Sequence, residues 1–201
     1  MKNIVFFIVM ITLLWACGNS ATETPEAPVD DRPLEVQLAE KIKEEMENGE
    51  RNDTCILDHV FGMSRMDVVR YKNKLVKKKK VYGVYKTKNT RVFVYDLKLP
   101  KDGKVRVYFD TFYYEDELYR IECLPKIPKN STHESVLEQT ASLFKKKYGP
   151  AHFIIPIEEQ ETCARHIWVI GNQQIELKCD DKEMMIAYTD SIRELKSLED
   201  L

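Results

Sequence analysis

Cysteine and histidine are the residues of this chain whose chemistry could support metal binding or nucleophilic catalysis. Cys55 and His59 are four residues apart, and Cys163 and His166 are three apart. A zinc site needs three or four converging ligands, whereas a spacing of three along a strand places two side chains on opposite faces. No acidic or histidine partner completes either pair, and there is no nucleophile elbow or phosphate-binding glycine loop. The sequence therefore predicts no catalytic residue, no metal and no cofactor, and we do not expect an enzyme.

Disulfide bonds are the other chemistry that the cysteines could support. Cys17 lies at the end of a predicted N-terminal export signal that is described below. The other four cysteines are Cys55, Cys123, Cys163 and Cys179. An even number in an exported protein favours disulfides, and four cysteines permit three pairings. Cys163 and Cys179 lie almost symmetrically about a predicted turn at residues 171–172, so we expect them to be linked across a hairpin. That leaves Cys55 with Cys123, for which two buried free thiols are the alternative.

The N-terminus has the layout of an export signal. Met1-Lys2-Asn3 is a short basic start, and residues 4–15 form an apolar run of about 12 residues, too short to span a bilayer as a helix. The next residues, Leu14-Trp15-Ala16-Cys17-Gly18, resemble the bacterial lipobox. That resemblance implies cleavage before Cys17, lipid on its sulfur, and a membrane anchor. An ordinary secretory signal that contains a cysteine is the alternative.

The segment after Cys17 has the composition of a linker between the membrane anchor and a folded domain. Residues 18–33 contain three prolines among small and acidic residues, which is typical of a tether. With 31 basic and 33 acidic residues, the chain lacks the basic excess of nucleic-acid-binding proteins. We expect a signal peptide (1–16), a lipidated cysteine with its tether (17–33) and a single domain (34–201). Gly18 after the cysteine favours the outer membrane of the cell envelope, with the leaflet left open.

Residue periodicity predicts a mixture of helices and strands in the domain. Apolar residues recur every four positions from Leu34 to Met46, as in a helix. Ser64 and Asp67 form a capping pair for a second helix, with Met66, Val69, Leu75 and Val76 on its apolar side. Four strands are predicted next, at 81–86, 91–99, 105–114 and 118–124. A helix capped by Ser131, strands at 162–170, 174–179 and 184–189, and a helix at 191–198 complete the order.

This order predicts an α+β fold in which helices pack on one face of an antiparallel sheet. Two similar halves, 34–128 and 129–201, are a possible division. The segment Phe61-Gly62-Met63-Ser64-Arg65-Met66-Asp67-Val68 resembles the helix start of the beta-lactamase inhibitory protein family and of SmpA/OmlA-type assembly lipoproteins. Residues 147–149 and 168–188 resemble the second half of uncharacterised Bacteroidetes-type lipoproteins. The first resemblance implies a helix packed on an antiparallel sheet. It does not carry over beta-lactamase inhibition, because the cysteine positions differ.

Two surface features predict binding. The lysine run Lys77, Lys78, Lys79 and Lys80 could contact anionic lipid or an anionic polymer, or could simply be a solvated helix end. Aromatic residues that alternate along the strands could form an exposed face, and the candidates are Tyr108, Phe112 and Tyr114. We therefore expect a non-catalytic, membrane-anchored module that binds an envelope protein and no nucleic acid. A carrier of a small apolar or lipidic ligand is the alternative.

Overall fold

A computed structural model describes residues 32–48, 50–85, 91–157, 163–180 and 182–200 of the chain. The chain divides into two units, residues 1–34 and residues 35–201. Only residues 32–34 of the first unit are described, so the predicted signal peptide, Cys17 and most of the tether lie outside the described residues. Across the described ranges, no helix is both long enough and apolar enough to cross a membrane.

The described ranges contain four α-helices, together with one short 3-10 turn at Ile56–Asp58. The helices are α1 (Leu34–Glu47), α2 (Arg65–Lys77), α3 (His133–Tyr148) and α4 (Ser191–Glu199). Helix α2 begins as predicted, because the backbone N–H of Asp67 donates to Ser64 Oγ at 3.2 Å. The prediction that Ser131 caps α3 is wrong. Thr132 is the cap, its hydroxyl accepting a backbone N–H at 3.1 Å, while the Ser131 hydroxyl donates to a carboxylate.

The strands of the described residues form one continuous antiparallel sheet. They are β1 (Tyr82–Tyr85), β2 (Arg91–Leu99), β3 (Gly103–Tyr114), β4 (Glu117–Pro125), β5 (Phe153–Ile155), β6 (Arg165–Ile170), β7 (Gln173–Cys179) and β8 (Met184–Asp190). Their order across the sheet is β1-β2-β3-β4-β8-β7-β6-β5. Consecutive strands pair within β1–β4 and within β5–β8, and β4 pairs with β8 through four residue pairs, Arg120 to Cys123 against Thr189 to Ile186. The fold is thus mixed α/β, with the sheet dominant.

The main core lies between the sheet and the two helices α2 and α3. Val68 and Leu75 of α2 and Val136, Leu137 and Phe144 of α3 are buried in one cluster with residues from both parts of the sheet, including Phe109, Ile121, Trp168 and Tyr188. The Phe144 ring lies 5.7 Å from that of Trp168. Because side chains alternate along a strand, these contacts define one side of the sheet as the core side.

Helix α4 contacts the other side of the sheet. Glu194 of α4 accepts a hydrogen bond at 3.1 Å from Arg120, which alternates with the core residue Ile121 on β4. The prediction that all helices share one face is therefore not confirmed.

A polar junction fastens residues 50–54 to the sheet. Asp190 is fully buried, accepts hydrogen bonds from Arg51 at 3.3 Å and from Arg193, and caps α4 by accepting the Ile192 N–H at 3.1 Å. Gly171 has a φ of 57°, and a β-carbon there would overlap a backbone carbonyl oxygen of this segment. The chain before α2 is thus held against the turn between β6 and β7.

The cysteines follow one predicted pairing and not the other. Cys163 and Cys179 form a disulfide with a Cα–Cα distance of 5.6 Å, as predicted. The predicted bond between Cys55 and Cys123 is wrong, because both are free, buried thiols. Cys55 Sγ instead donates to the His59 carbonyl at 3.2 Å within its own loop, and Cys123 is hydrogen-bonded to Tyr95. Each thiol is therefore engaged by a different group.

Candidate functional site

The three aromatic residues predicted to bind lie together on one side of β3. Tyr108, Phe112 and Tyr114 alternate along the strand with Phe109 and Tyr113, which belong to or pack against the main core. Alternation places the first three on the opposite side of the sheet from α2. Phe112 is 37% exposed, so this side offers apolar surface to a partner.

Tyr82 extends this surface across the neighbouring strands. The register places Tyr82 opposite Val94, and Val94 opposite Tyr108, so fully buried Val94 lies between two tyrosines. Arg106 Nε donates to the Tyr82 hydroxyl at 3.1 Å, and that hydroxyl donates to Asp96 Oδ1 at 2.8 Å. Partial burial and the Asp96 carboxylate raise the pKa of Tyr82, which keeps its hydroxyl protonated as a donor.

We call the set Tyr82, Tyr108, Phe112 and Tyr114 the aromatic face. Its tyrosines are amphipathic, and charged groups stand beside them, the chemistry that dominates protein interfaces. Sequence reasoning missed Arg106 and did not assign Tyr82, one of the strand aromatics, to this face. Alternation in the strand at 81–86 could have placed Tyr82 on a face, but only the register shows which residues it meets.

Helix α4 closes one end of the aromatic face. The Tyr114 hydroxyl donates to Asp200, just after the helix. Arg120 bridges Glu122 at 2.8 Å and Glu194 at 3.1 Å. Burial raises the pKa of Glu194, with Arg120 opposing that shift. Tyr114 is therefore used mainly within the fold, and Phe112 and Tyr108 form the accessible part.

The predicted lysines lie elsewhere. Lys77 ends α2 and Lys78, Lys79 and Lys80 follow it, all exposed, with Lys80 Nζ 3.7 Å from an Asp58 carboxylate oxygen. Helix α2 packs on the core side, whereas the aromatic face is on the other side. The structure therefore divides the predicted binding residues between two separate surfaces.

Helix α2 packs with only part of the side that its sequence predicts, because Leu75 is buried in the core and Val76 packs against it, but the other two predicted residues do not. Met66 and Val69, predicted to be apolar packing residues, are 59% and 49% exposed, whereas Lys72 is buried. The Lys72 ammonium lies 5.0 Å from the Phe109 ring centroid and donates to Thr111 Oγ1 at 3.2 Å. Burial lowers the pKa of Lys72. The outward side of α2 thus carries apolar side chains that its own core does not use.

The potentially nucleophilic or acid–base groups around the loop before α2 are enclosed. Burial raises the pKa of Cys55 to about 12 and lowers the pKa of His59 to about 4. Burial likewise raises the pKa of Cys123. His59 Nδ1 bonds the Ile56 carbonyl at 3.0 Å, and its ring meets Tyr71 edge-on at 5.1 Å. These thiols are protonated at neutral pH and out of reach of a substrate.

A pocket of about 290 Å³ lies beside the disulfide. Its lining consists of Glu134, Leu137, Glu138, Ala141, Ile157, Cys163, Ala164 and His166. Five of these eight residues are apolar, and the other three are two glutamates and a histidine, whereas sites for drug-sized ligands have volumes of about 300–1,000 Å³. Burial lowers the pKa of His166, whose ring stacks on Trp168. The pocket is therefore at the lower limit of size for the predicted alternative, a site for a small apolar or lipidic ligand.

Neither a metal site among the described residues nor a comparison with known proteins indicates a function for this chain. In the part of the chain that the structure describes, no three Cys, His, Asp or Glu side chains come together as a metal site would require. No protein-family model, curated protein or solved structure matches the sequence or the fold. Function is therefore inferred from the surface chemistry of the chain itself.

Proposed function

We propose that this chain is a non-catalytic lipoprotein, anchored in the cell envelope by lipid on Cys17, whose aromatic face binds an envelope protein. The binding proposal depends on one observation. Partly exposed Tyr108 and Phe112 lie on the same side of the sheet as Arg106, Tyr82 and Asp96, which are linked by hydrogen bonds. Tyrosine and arginine are enriched among residues that dominate binding energy. Here the arginine and Tyr82 are already held in place, so binding would cost little side-chain ordering.

Burial of the reactive groups supports the non-catalytic part of the proposal. Cys55, Cys123 and His59 each lie below the surface. A substrate could not reach them without opening the loop before α2. The outer membrane, favoured by Gly18 after the cysteine, is the proposed location.

We also propose that the chain is built from two structural repeats. Helix α2 precedes the four strands β1–β4, helix α3 precedes β5–β8, and the last strand of each set lies at the centre of the sheet. Helices α2 and α3 share the core side. A helix followed by an antiparallel sheet is also what the resemblance of residues 61–68 to the inhibitory-protein and SmpA/OmlA-type families implies.

Site-specific photocrosslinking in intact cells tests the binding proposal. A photoreactive phenylalanine analogue at Phe112 should give a discrete adduct with an envelope protein. Tyr85 is the matched control, because it is also aromatic, is 69% exposed and lies on the other side of the sheet. Arg106→Glu should reduce the adduct at Phe112. Equal adducts at Phe112 and Tyr85, or none at Phe112 and Tyr108, would refute the proposed surface.

The anchor has its own test. Cys17→Ser should abolish incorporation of labelled palmitate and release the protein from the membrane fraction. Retention of Cys17→Ser in that fraction, or absence of label from the unaltered chain, would refute lipid anchoring without affecting the crosslinking result.

A further inference from the structure

The charge of the chain is concentrated in one short segment. Residues 65–80 hold eight of the 31 basic residues but only one of the 33 acidic residues, which leaves 23 basic and 32 acidic residues elsewhere. Of the eight, only Lys72 is buried. A chain with a net charge of −2 therefore carries a strongly basic surface over α2 and the turn after it, which we call the basic ridge (residues 65–80).

Apolar side chains stand within the basic ridge on its outward side. Met66, Val69, Arg70, Asn73 and Lys77 recur at spacings of three or four residues and are all exposed, so they share one side of the helix. Met66 and Val69 are 59% and 49% exposed, whereas Lys72 is buried on the side of the helix that faces the sheet. A helix with basic and apolar residues on its exposed side matches the interface of an anionic bilayer.

Two arginines of the basic ridge are paired with acidic side chains, and exposed lysines of the ridge remain available to bind an anionic partner. Arg70 lies 3.3 Å from Asp67 and Arg65 lies 3.4 Å from Asp116, both in exposed pairs that are weak in water. Exposed Lys78 and Lys79 extend the basic surface beyond the end of the helix at Lys77. Each basic side chain near an anionic membrane surface strengthens attachment about fivefold.

We infer that the basic ridge rests on an anionic lipid surface. The inference depends on the proposed anchor at Cys17, which would bring the domain to a bilayer. Residues 18–33 can reach at most about 55 Å when fully extended, far enough for different sides of a small domain to meet the membrane. Surface chemistry then selects the side, and a layer of acidic headgroups over acyl chains matches both the lysines and the apolar pair.

This orientation fits the proposed partner surface. The aromatic face lies on the side of the sheet opposite α2, so docking of the basic ridge directs Tyr108 and Phe112 away from the bilayer. One side of the domain then holds it to lipid while the other remains open to a protein.

Tryptophan fluorescence in vesicles tests the inference with the full lipidated chain. Val69→Trp places a reporter on the outward side of α2, and the native Trp168 is buried. In vesicles that contain brominated lipid, we expect quenching of this reporter when phosphatidylglycerol is present and not with phosphatidylcholine alone. Leu195→Trp on α4 is the matched control, with 57% exposure, and should stay unquenched on both. Met66→Trp provides a second reporter on the ridge.

Charge reversal and salt complete the test. Lys78→Glu with Lys79→Glu in the Val69→Trp chain should abolish quenching on phosphatidylglycerol, and high salt should weaken it. Equal quenching on both vesicle types, equal quenching of Leu195→Trp, or no quenching at either ridge position would overturn the inference. So would tight binding of soluble polyglutamate without any lipid quenching. Failure of the anchor appears separately, as loss of protein from both vesicle types.

Discussion

Burial of His59 makes a specific prediction about acid stability. The ring is fully buried, with its Nδ1 on the Ile56 carbonyl, and no group among the described residues partners its Nε2. Burial is the largest cause that lowers its pKa from 6.5 to about 4; the hydrogen bond to the Ile56 carbonyl and nearby Asp58 oppose the shift, and Lys72 adds to it. Protonation of this ring is therefore far more favourable in the unfolded chain than in the folded one.

The sign and size of the effect follow from this difference. The folded pKa is lowered, so the stabilisation by neutral His59 is fully present above pH 6.5 and is lost as the pH falls toward about 4. The full difference corresponds to about 3 kcal/mol of the free energy of unfolding, of which about 2.5 kcal/mol is lost by about pH 4.5. That is a large fraction of the stability of an ordinary domain.

Urea unfolding followed by circular dichroism at a series of pH values measures this loss. His59→Phe is the matched variant, because it keeps a flat ring in the site but cannot be protonated. His59→Phe starts from lower stability, since it loses the bond to the Ile56 carbonyl, but the decrease between neutral pH and about pH 4.5 should be smaller than in the unaltered protein by about 2.5 kcal/mol. Other titrating groups contribute to both proteins and cancel in the comparison. Equal pH dependence of the two proteins would refute the argument from burial.

Three further predictions concern stability at neutral pH, each measured by urea unfolding. Replacing Cys163 and Cys179 together by Ala should cost about 3 kcal/mol, because the disulfide closes a loop across a separation of 16 residues; an unchanged midpoint would contradict the bond. Gly171→Ala should cost more than the roughly 1–2 kcal/mol of a left-handed backbone, since its β-carbon also meets a backbone oxygen. Gly103→Ala, with a similar φ but open space, should cost only the backbone part, and equal losses would contradict the overlap. Lys72→Met should stabilise the protein by about 1 kcal/mol, because a buried ammonium is replaced by an apolar chain of similar length; a clear loss would mean that its ring contacts outweigh burial.

Local signals in the sequence were sufficient for most individual elements. The Ser64–Asp67 pair predicted where α2 begins, and residue alternation predicted β2 with the observed bounds. The three-residue strand β5 was missed, because it is too short to show alternation between Gly149-Pro150 and Pro156. The symmetric placement of Cys163 and Cys179 about a turn was likewise a local signal, and the predicted disulfide is confirmed.

Long-range contacts decide the features that the sequence did not reveal. Lys72 is buried because β2 and β3 bring Phe93, Phe109 and Thr111 beneath it, and this arrangement turns Met66 and Val69 outward. The separation of the lysines from the aromatic face depends on which side of the sheet receives α2. The engagement of Cys55 by the His59 carbonyl is local, but it depends on the backbone conformation of the loop, which cysteine spacing does not reveal.

The central position of β8 has a consequence for how the polypeptide matures. Until β8 has been delivered, β4 has an unpaired edge, and such edges readily recruit other extended chains. The sheet cannot close at its middle until the other seven described strands have been synthesised, and assembly that waits for distant segments is slow. A nascent molecule would therefore pass through a long stage vulnerable to aggregation, in which a holding chaperone should bind best to chains cut short before Met184.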